Sequence, residues 1–174
     1  MTPKTRMLEI GPGSGLITVA KATAAQYVLA VELNRQAART TYLNAKQNGL
    51  SMKVDVVVGH LLGPLQPCKL FDVIVFNPPY LPADGKTDDP AWTGGLTGRE
   101  IVQQLLPQIP KVLKMGGHLY LIQSSVSGGE RTVEDLKNHG FQIIDVDKLR
   151  MGFETLYCVK ASLETADPKS GVTQ

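Results

Sequence analysis

The stretch Phe71-Asp72-Val73-Ile74-Val75-Phe76-Asn77-Pro78-Pro79-Tyr80 constrains the fold more than any other. Phe71–Phe76 is rich in β-branched and aromatic residues, the pattern of a buried strand. Asn77-Pro78-Pro79-Tyr80 then ends it. Paired prolines forbid a helix and remove backbone donors. The residue before each proline is pushed toward extended geometry. A carboxamide, a free carbonyl and an aromatic ring are therefore held on a stiff loop at a strand's C-terminal end. In open α/β sheets, ligands bind at that end.

The rest of the chain supplies the sheet. Arg6–Ile10 reads as a first strand, followed at once by Gly11-Pro12-Gly13-Ser14-Gly15 and a helix over 16–25. A second strand over 27–31 ends in Glu32. A helix over 35–48 follows, with Gly49 as its C-cap. Lys53-Val54-Asp55-Val56-Val57-Val58 is a third strand, and Phe71–Phe76 is the fourth. A long connection over 81–98 leads to a helix over 99–106, broken by Pro107 and Pro110. Gly116-Gly117 turns the chain into a fifth strand over 118–123. A helix over 130–138 is closed by Gly140. The segments 141–147 and 155–160 form a closing antiparallel hairpin. This alternation predicts an α/β fold with a mostly parallel, doubly wound, seven-stranded sheet. The domain is expected to span 1–161, with 162–174 as a flexible tail.

Composition narrows the function. Of 174 residues, 43% are hydrophobic and 20% charged, values of an ordinary single globular domain. The net charge of +2, without a run of Lys or Arg, argues against nonspecific nucleic-acid binding. Cys68 and Cys158 are isolated, so neither a zinc site nor a disulfide framework is expected, and no metal is assigned. No signal peptide, transit peptide or membrane-length apolar run is evident, which makes the cytoplasm or nucleus the expected compartment.

The glycine loop sits between a strand and a helix, where a backbone can turn sharply and approach a ligand. Position 16 is Leu, so the dinucleotide fingerprint fails by one residue, and no Gly-Lys-Ser/Thr follows for a phosphate loop. Glu32 ends the second strand, where an acid accepts hydrogen bonds from ribose hydroxyls.

Glu9-x-Gly11-x-Gly13-x-Gly15, Glu32 and Asn77-Pro78-Pro79-Tyr80 together resemble the Rossmann-like class I methyltransferases that use S-adenosylmethionine. The Asn-Pro-Pro-Tyr loop narrows the resemblance to enzymes acting on planar nitrogens. The segment Ala91-Trp92-Thr93-Gly94-Gly95-Leu96-Thr97-Gly98-Arg99-Glu100, with Glu154-Thr155-Leu156, is similar to the eukaryotic and archaeal branch of the HemK-type protein-glutamine N5-methyltransferases. The resemblance implies methylation of the glutamine in the Gly-Gly-Gln motif of a class I translation release factor. It implies cofactor contacts by Glu9, Gly11, Gly13, Gly15, Glu32, His60 and Asn77. Asn77, Pro78, Pro79, Tyr80 and Trp92 would hold the substrate, with Asn77, Pro78 and Tyr80 catalytic. Family members usually carry a further N-terminal cap segment, expected to be missing here, and an acid where this chain has His60. The family also uses a small zinc-binding activator subunit, expected to add a strand beside Lys53 to Val58.

Two other functions stay open at the level of sequence. The same loop could accept from the exocyclic amine of adenine or guanine in nucleic acid, with Tyr80 stacked on a flipped base. The short N-terminus and His60 also fit a catalytically weak cofactor- or partner-binding module. Trp92 reads equally well as filler under its loop, His60 as an exposed loop residue, and Arg99 and Glu100 as helix-start charges.

Overall fold

A computed structural model of the chain describes residues 1–83 and 93–164. Among these, seven strands form one sheet: β1 (Arg6–Ile10), β2 (Tyr27–Glu32), β3 (Val54–Val58), β4 (Phe71–Phe76), β5 (Leu113–Ser124), β6 (Phe141–Met151) and β7 (Glu154–Leu163). Their order is β3-β2-β1-β4-β5-β7-β6. β1 to β5 pair in parallel, and β7 is antiparallel to both β5 and β6. The expected mostly parallel sheet with a closing antiparallel hairpin is what the chain adopts.

Helices cover both faces. α1 (Leu16–Ala22) and α2 (Arg35–Gln47) lie on one, over a cluster that includes Met7, Val28, Ala45 and Val54. α3 (Glu100–Leu105) and α4 (Gly129–Asn138) lie on the other, over Leu8, Ile74, Leu119, Leu121 and Val159. α2 starts where Asn34 Oδ1 accepts from the N–H groups of Gln36 and Ala37, at 2.8 and 3.1 Å.

Three boundaries differ from the sequence reading. α1 stops at Ala22, because the Thr23 hydroxyl takes the Ala20 carbonyl and Ala24 N–H bonds Lys21, tightening the last turn. Gly116-Gly117 does not open β5. The strand already pairs at Leu113 with Phe71, and the next pair is Val73 with His118, so the glycines lie in a bulge. The closing hairpin is longer than expected, with β6 running to Met151 and β7 to Leu163, because Arg150 and Met151 keep pairing with Thr155 and Glu154. Ser162 therefore belongs to the sheet, while 165–174 of the expected tail lies outside the described residues.

Candidate active site

The parallel strands end side by side. Ile10 pairs with Val31 on one flank and with Phe76 on the other. Gly11 and Asn77, the next residues of β1 and β4, therefore leave neighbouring strands about 4.8 Å apart. Strand order reverses between β1 and β4, which is where a doubly wound sheet opens a crevice. Gly11 N–H donates to the Val31 carbonyl at 2.8 Å and Gly59 N–H to that of Glu32 at 2.9 Å. The ends of β3, β2, β1 and β4 thus form one continuous ledge.

Each residue of the glycine loop has its own task. Gly13 has φ +58°, and a β-carbon there would meet nothing within 4 Å. It faces the crevice. Gly15 is buried against α2, where a β-carbon would come within 2.8 Å of Thr41 Cγ2. The missing side chain lets the loop pack closely on α2. Glu9 points inward, 4% exposed, and accepts a short hydrogen bond from the Thr18 hydroxyl. Burial pushes its carboxyl above the ordinary 4.5, against the lowering effect of the Thr18 bonds. Thr18 is the partner the sequence reading missed.

Glu32 holds the loop from the side. Its Oε2 accepts from Gly13 N–H at 3.0 Å and its Oε1 from Asn34 N–H at 2.9 Å. Each carboxylate oxygen keeps a further lone pair. An open glycine at the loop, an acid beside it and a carboxamide across the ledge fit the ribose and amino-acid ends of S-adenosylmethionine. His60 is exposed in the turn after β3, and its carbonyl accepts from Gly63 N–H.

Asn77 is exposed, Pro78 buried, and Pro79 and Tyr80 half-buried. The 93–98 segment braces this loop from behind. Gly94 N–H donates to the Leu81 carbonyl at 3.0 Å, and Ala83 N–H to that of Gly95 at 2.9 Å. A β-carbon on Gly98 would fall 2.3 Å from the Tyr80 carbonyl oxygen. Trp92 lies outside the described residues. Burial raises the Tyr80 phenol, with a further push from the Glu154 carboxylate.

Arg99 and Glu100 are more than helix-start charges. Glu100 accepts from Thr97 N–H and Arg99 N–H, closing the turn. Arg99 is 7% exposed and donates to the Gly128 carbonyl at 2.6 Å, while pairing with Asp135. It ties the bracing loop to α4.

A groove of about 680 Å³ starts at Asn77 and runs down the sheet face over Val75, Val73, Tyr120 and His118 to the Asp72–Lys114 pair. Only its upper end meets the ledge, so the groove and the glycine crevice are separate features that share Asn77. Among the described residues, no helix is long and apolar enough to cross a membrane, and no group of His, Cys, Asp or Glu could hold a metal ion.

Fold and ledge together define a Rossmann-like methyltransferase using S-adenosylmethionine. The chain belongs to the methyltransferase small domain family, whose model matches residues 1–153. It is 36% identical over 163 residues to a Methanocaldococcus jannaschii protein named as a protein N5-glutamine methyltransferase, covering 89% of this chain and 80% of that one. It is 30% identical over 164 residues to human methyltransferase HEMK2, covering 88% and 75%. Among solved structures it is similar to the E. cuniculi Mtq2–Trm112 complex, described as responsible for methylating the translation termination factor eRF1. The TM-score is 0.69 at 28% identity, covering 92% of this chain and 85% of that one.

Proposed function

We propose that this chain methylates the side-chain amide nitrogen of the glutamine in the Gly-Gly-Gln motif of a class I translation release factor. The observation that carries the reading is the pairing of Ile10 with Phe76, which sets the Asn77 loop beside the glycine loop. The names of the related proteins support the substrate.

An amide nitrogen is a poor nucleophile because its lone pair is delocalised into the carbonyl. S-adenosylmethionine supplies an activated sulfonium methyl when bound. The protein's contribution is alignment. The Asn77 side-chain oxygen and the Pro78 carbonyl each accept one amide hydrogen. They hold the nitrogen's lone pair toward the glycine loop. Both bonds strengthen as positive charge develops on nitrogen. Tyr80 packs on the flat amide and keeps water away. Gly11, Gly13 and Glu32 hold the cofactor; Glu9 acts from beneath through Thr18.

A small activator subunit of the zinc-binding kind is proposed to pair with the edge strand. Support comes from β3, which is outermost in the sheet, and from Val58, which is 49% exposed. Slower hydrogen exchange at Val56 and Val57 on adding the subunit is expected, and unchanged exchange removes this placement.

The decisive experiment incubates the protein and subunit with methyl-labelled S-adenosylmethionine and either a release factor or oligonucleotides. Label on the glutamine of the Gly-Gly-Gln peptide is expected. Label on nucleic acid, or on neither, overturns the proposal.

A further inference from the structure

The hairpin of β6 and β7 carries a carboxylate to the end of the sheet where Asn77 stands. β7 makes its last pair with β5 at Leu156–Ser124, and Glu154 lies two residues higher, paired with Met151. Side chains alternate along a strand, so Glu154, Leu156 and Cys158 share one face of the sheet. Cys158, Ile122 and Asn77 line the groove on that face. Phe76 pairs with Leu121, which puts Asn77 level with Ile122, and Ser124 stands two residues further along the neighbouring strand. Asn77 and Ser124 are therefore about 8 Å apart, roughly two residues of extended chain.

The carboxylate is held still. Glu154 Oε1 accepts from Ser124 Oγ at 2.5 Å. Ser124 is fully buried, and its Oγ accepts from Val126 N–H at 3.1 Å, which commits the hydroxyl proton to Glu154. Thr155 N–H donates to Ser125 Oγ at 2.9 Å and fixes the strand beside it. These contacts use only one oxygen of Glu154. Among the described residues the other has no hydrogen-bond partner, and no Lys or Arg lies within ion-pair distance of it. The charge is felt at the Asn77 loop, where it adds to the rise of the Tyr80 phenol. A half-buried carboxylate with an unused oxygen is a strong acceptor for an incoming N–H.

We propose that Glu154 binds the substrate, its unused oxygen accepting a main-chain N–H of the Gly-Gly-Gln segment while Asn77 takes the glutamine side chain. This rests on the glutamine reading above. The two glycines have no side chains, so their main-chain groups are all that a site can grip. With the glutamine amide at Asn77, the main chain beside it falls within the two-residue gap to Glu154. An acceptor there attracts an N–H and repels a carbonyl, which selects the edge of the segment that faces the hairpin.

The test is a double cycle between protein and substrate, run on the intact release factor with the activator subunit present. Each of the three N–H groups of Gly-Gly-Gln is replaced in turn by an ester oxygen, which deletes the donor without adding bulk. Wild type is expected to lose about 30-fold in kcat/KM on one of the three esters. Glu154→Ala is expected to lose about as much on the unmodified factor, through KM, and nothing further on that ester. Glu154→Gln keeps the Ser124 contact, so it should hold cofactor affinity and Tm while weakening the same single coupling. If Glu154→Ala lowers Tm, Glu154→Gln carries the cycle alone. Ester losses of equal size in wild type and both variants would confine Glu154 to the hairpin and overturn the proposal. So would unchanged kcat/KM in both variants on the unmodified factor. If wild type leaves the unmodified factor without label, the glutamine reading has failed, and that is seen before any ester is made.

Discussion

Gly94 sits so close to Pro79 that a β-carbon on it would lie 2.3 Å from the Pro79 carbonyl oxygen, with the Gly98 carbonyl oxygen 2.6 Å away on the other side. The two sides are backbone, which cannot swing aside as a flexible side chain can. The Asn77-Pro78-Pro79-Tyr80 loop is therefore stiff for two reasons: its own prolines, and a second loop moulded to its back. Gly94→Ala should push the proline loop outward by a sizeable fraction of an ångström. Misplacement of that order costs about 100-fold in turnover when reacting groups must align. Methyl transfer is expected to fall by about that factor, while calorimetry shows S-adenosylmethionine affinity changed less, since the glycine crevice is built from other strands.

Glu32 separates binding from chemistry in the opposite sense. Its two oxygens hold the N–H groups of Gly13 and Asn34, which shapes the glycine loop and starts the turn into α2. Glu32→Ala leaves both donors without that acceptor, a destabilisation of about 2 kcal/mol. Thermal unfolding should show it as a drop of roughly 5 °C. Cofactor affinity is expected to fall by more than 10-fold, because the acceptor proposed for the ribose is lost as well. Glu32→Gln keeps one acceptor oxygen and turns an NH2 toward the other N–H, so it should recover only part of the stability.

Asn77 stands apart because its exposed side chain caps no helix and packs in no core. Asn77→Ala should nearly abolish transfer while thermal stability stays within about 0.5 kcal/mol of wild type, the usual range for an exposed site. Asn77→Asp keeps an acceptor of nearly the same size and should retain more turnover than Ala. Equal loss of cofactor affinity and of turnover in Asn77→Ala would move Asn77 from substrate alignment to donor binding.

The strand–loop–helix grammar was readable because it is local. Asn77-Pro78-Pro79-Tyr80 and the glycine loop carry their geometry in adjacent residues, and the β-branched and aromatic run before Asn77 marks its strand. What escaped was held together across the chain. Arg99 reads as a helix-start charge, yet its carbonyl and carboxylate partners at Gly128 and Asp135 come from the next helix, and nothing near Arg99 announces them. The same holds for Thr18 beneath Glu9, for Gly94 and Gly98 behind the proline loop, and for Glu154 beside Ser124. Gly116-Gly117 has the composition of a turn, and only the register of β4 against β5 reveals the bulge. The glycines of the first loop looked alike, but Gly13 faces the crevice and Gly15 faces Thr41.

Glu9 gives a pH-dependent prediction. Its carboxyl is raised above 4.5 chiefly by burial, with the Thr18 bonds acting downward and the nearby Glu32 charge adding to the rise. A carboxyl raised in the folded state binds its proton more tightly there than in the unfolded chain, so it costs stability once pH exceeds the unfolded value. The cost grows as pH rises through the folded value and is constant above it. Glu9→Gln keeps the size and an oxygen to accept from Thr18, and removes the buried charge. At neutral pH the variant should therefore be more stable than wild type, by roughly 1 kcal/mol or a few degrees in Tm. The gain should vanish below about pH 4.5, where wild-type Glu9 is protonated in both states. If the variant is instead less stable at neutral pH and matches wild type in acid, the Glu9 charge is stabilising and Thr18 more than offsets its burial. If turnover falls while stability rises, Glu9 is held charged for the cofactor's sake, at the expense of the fold.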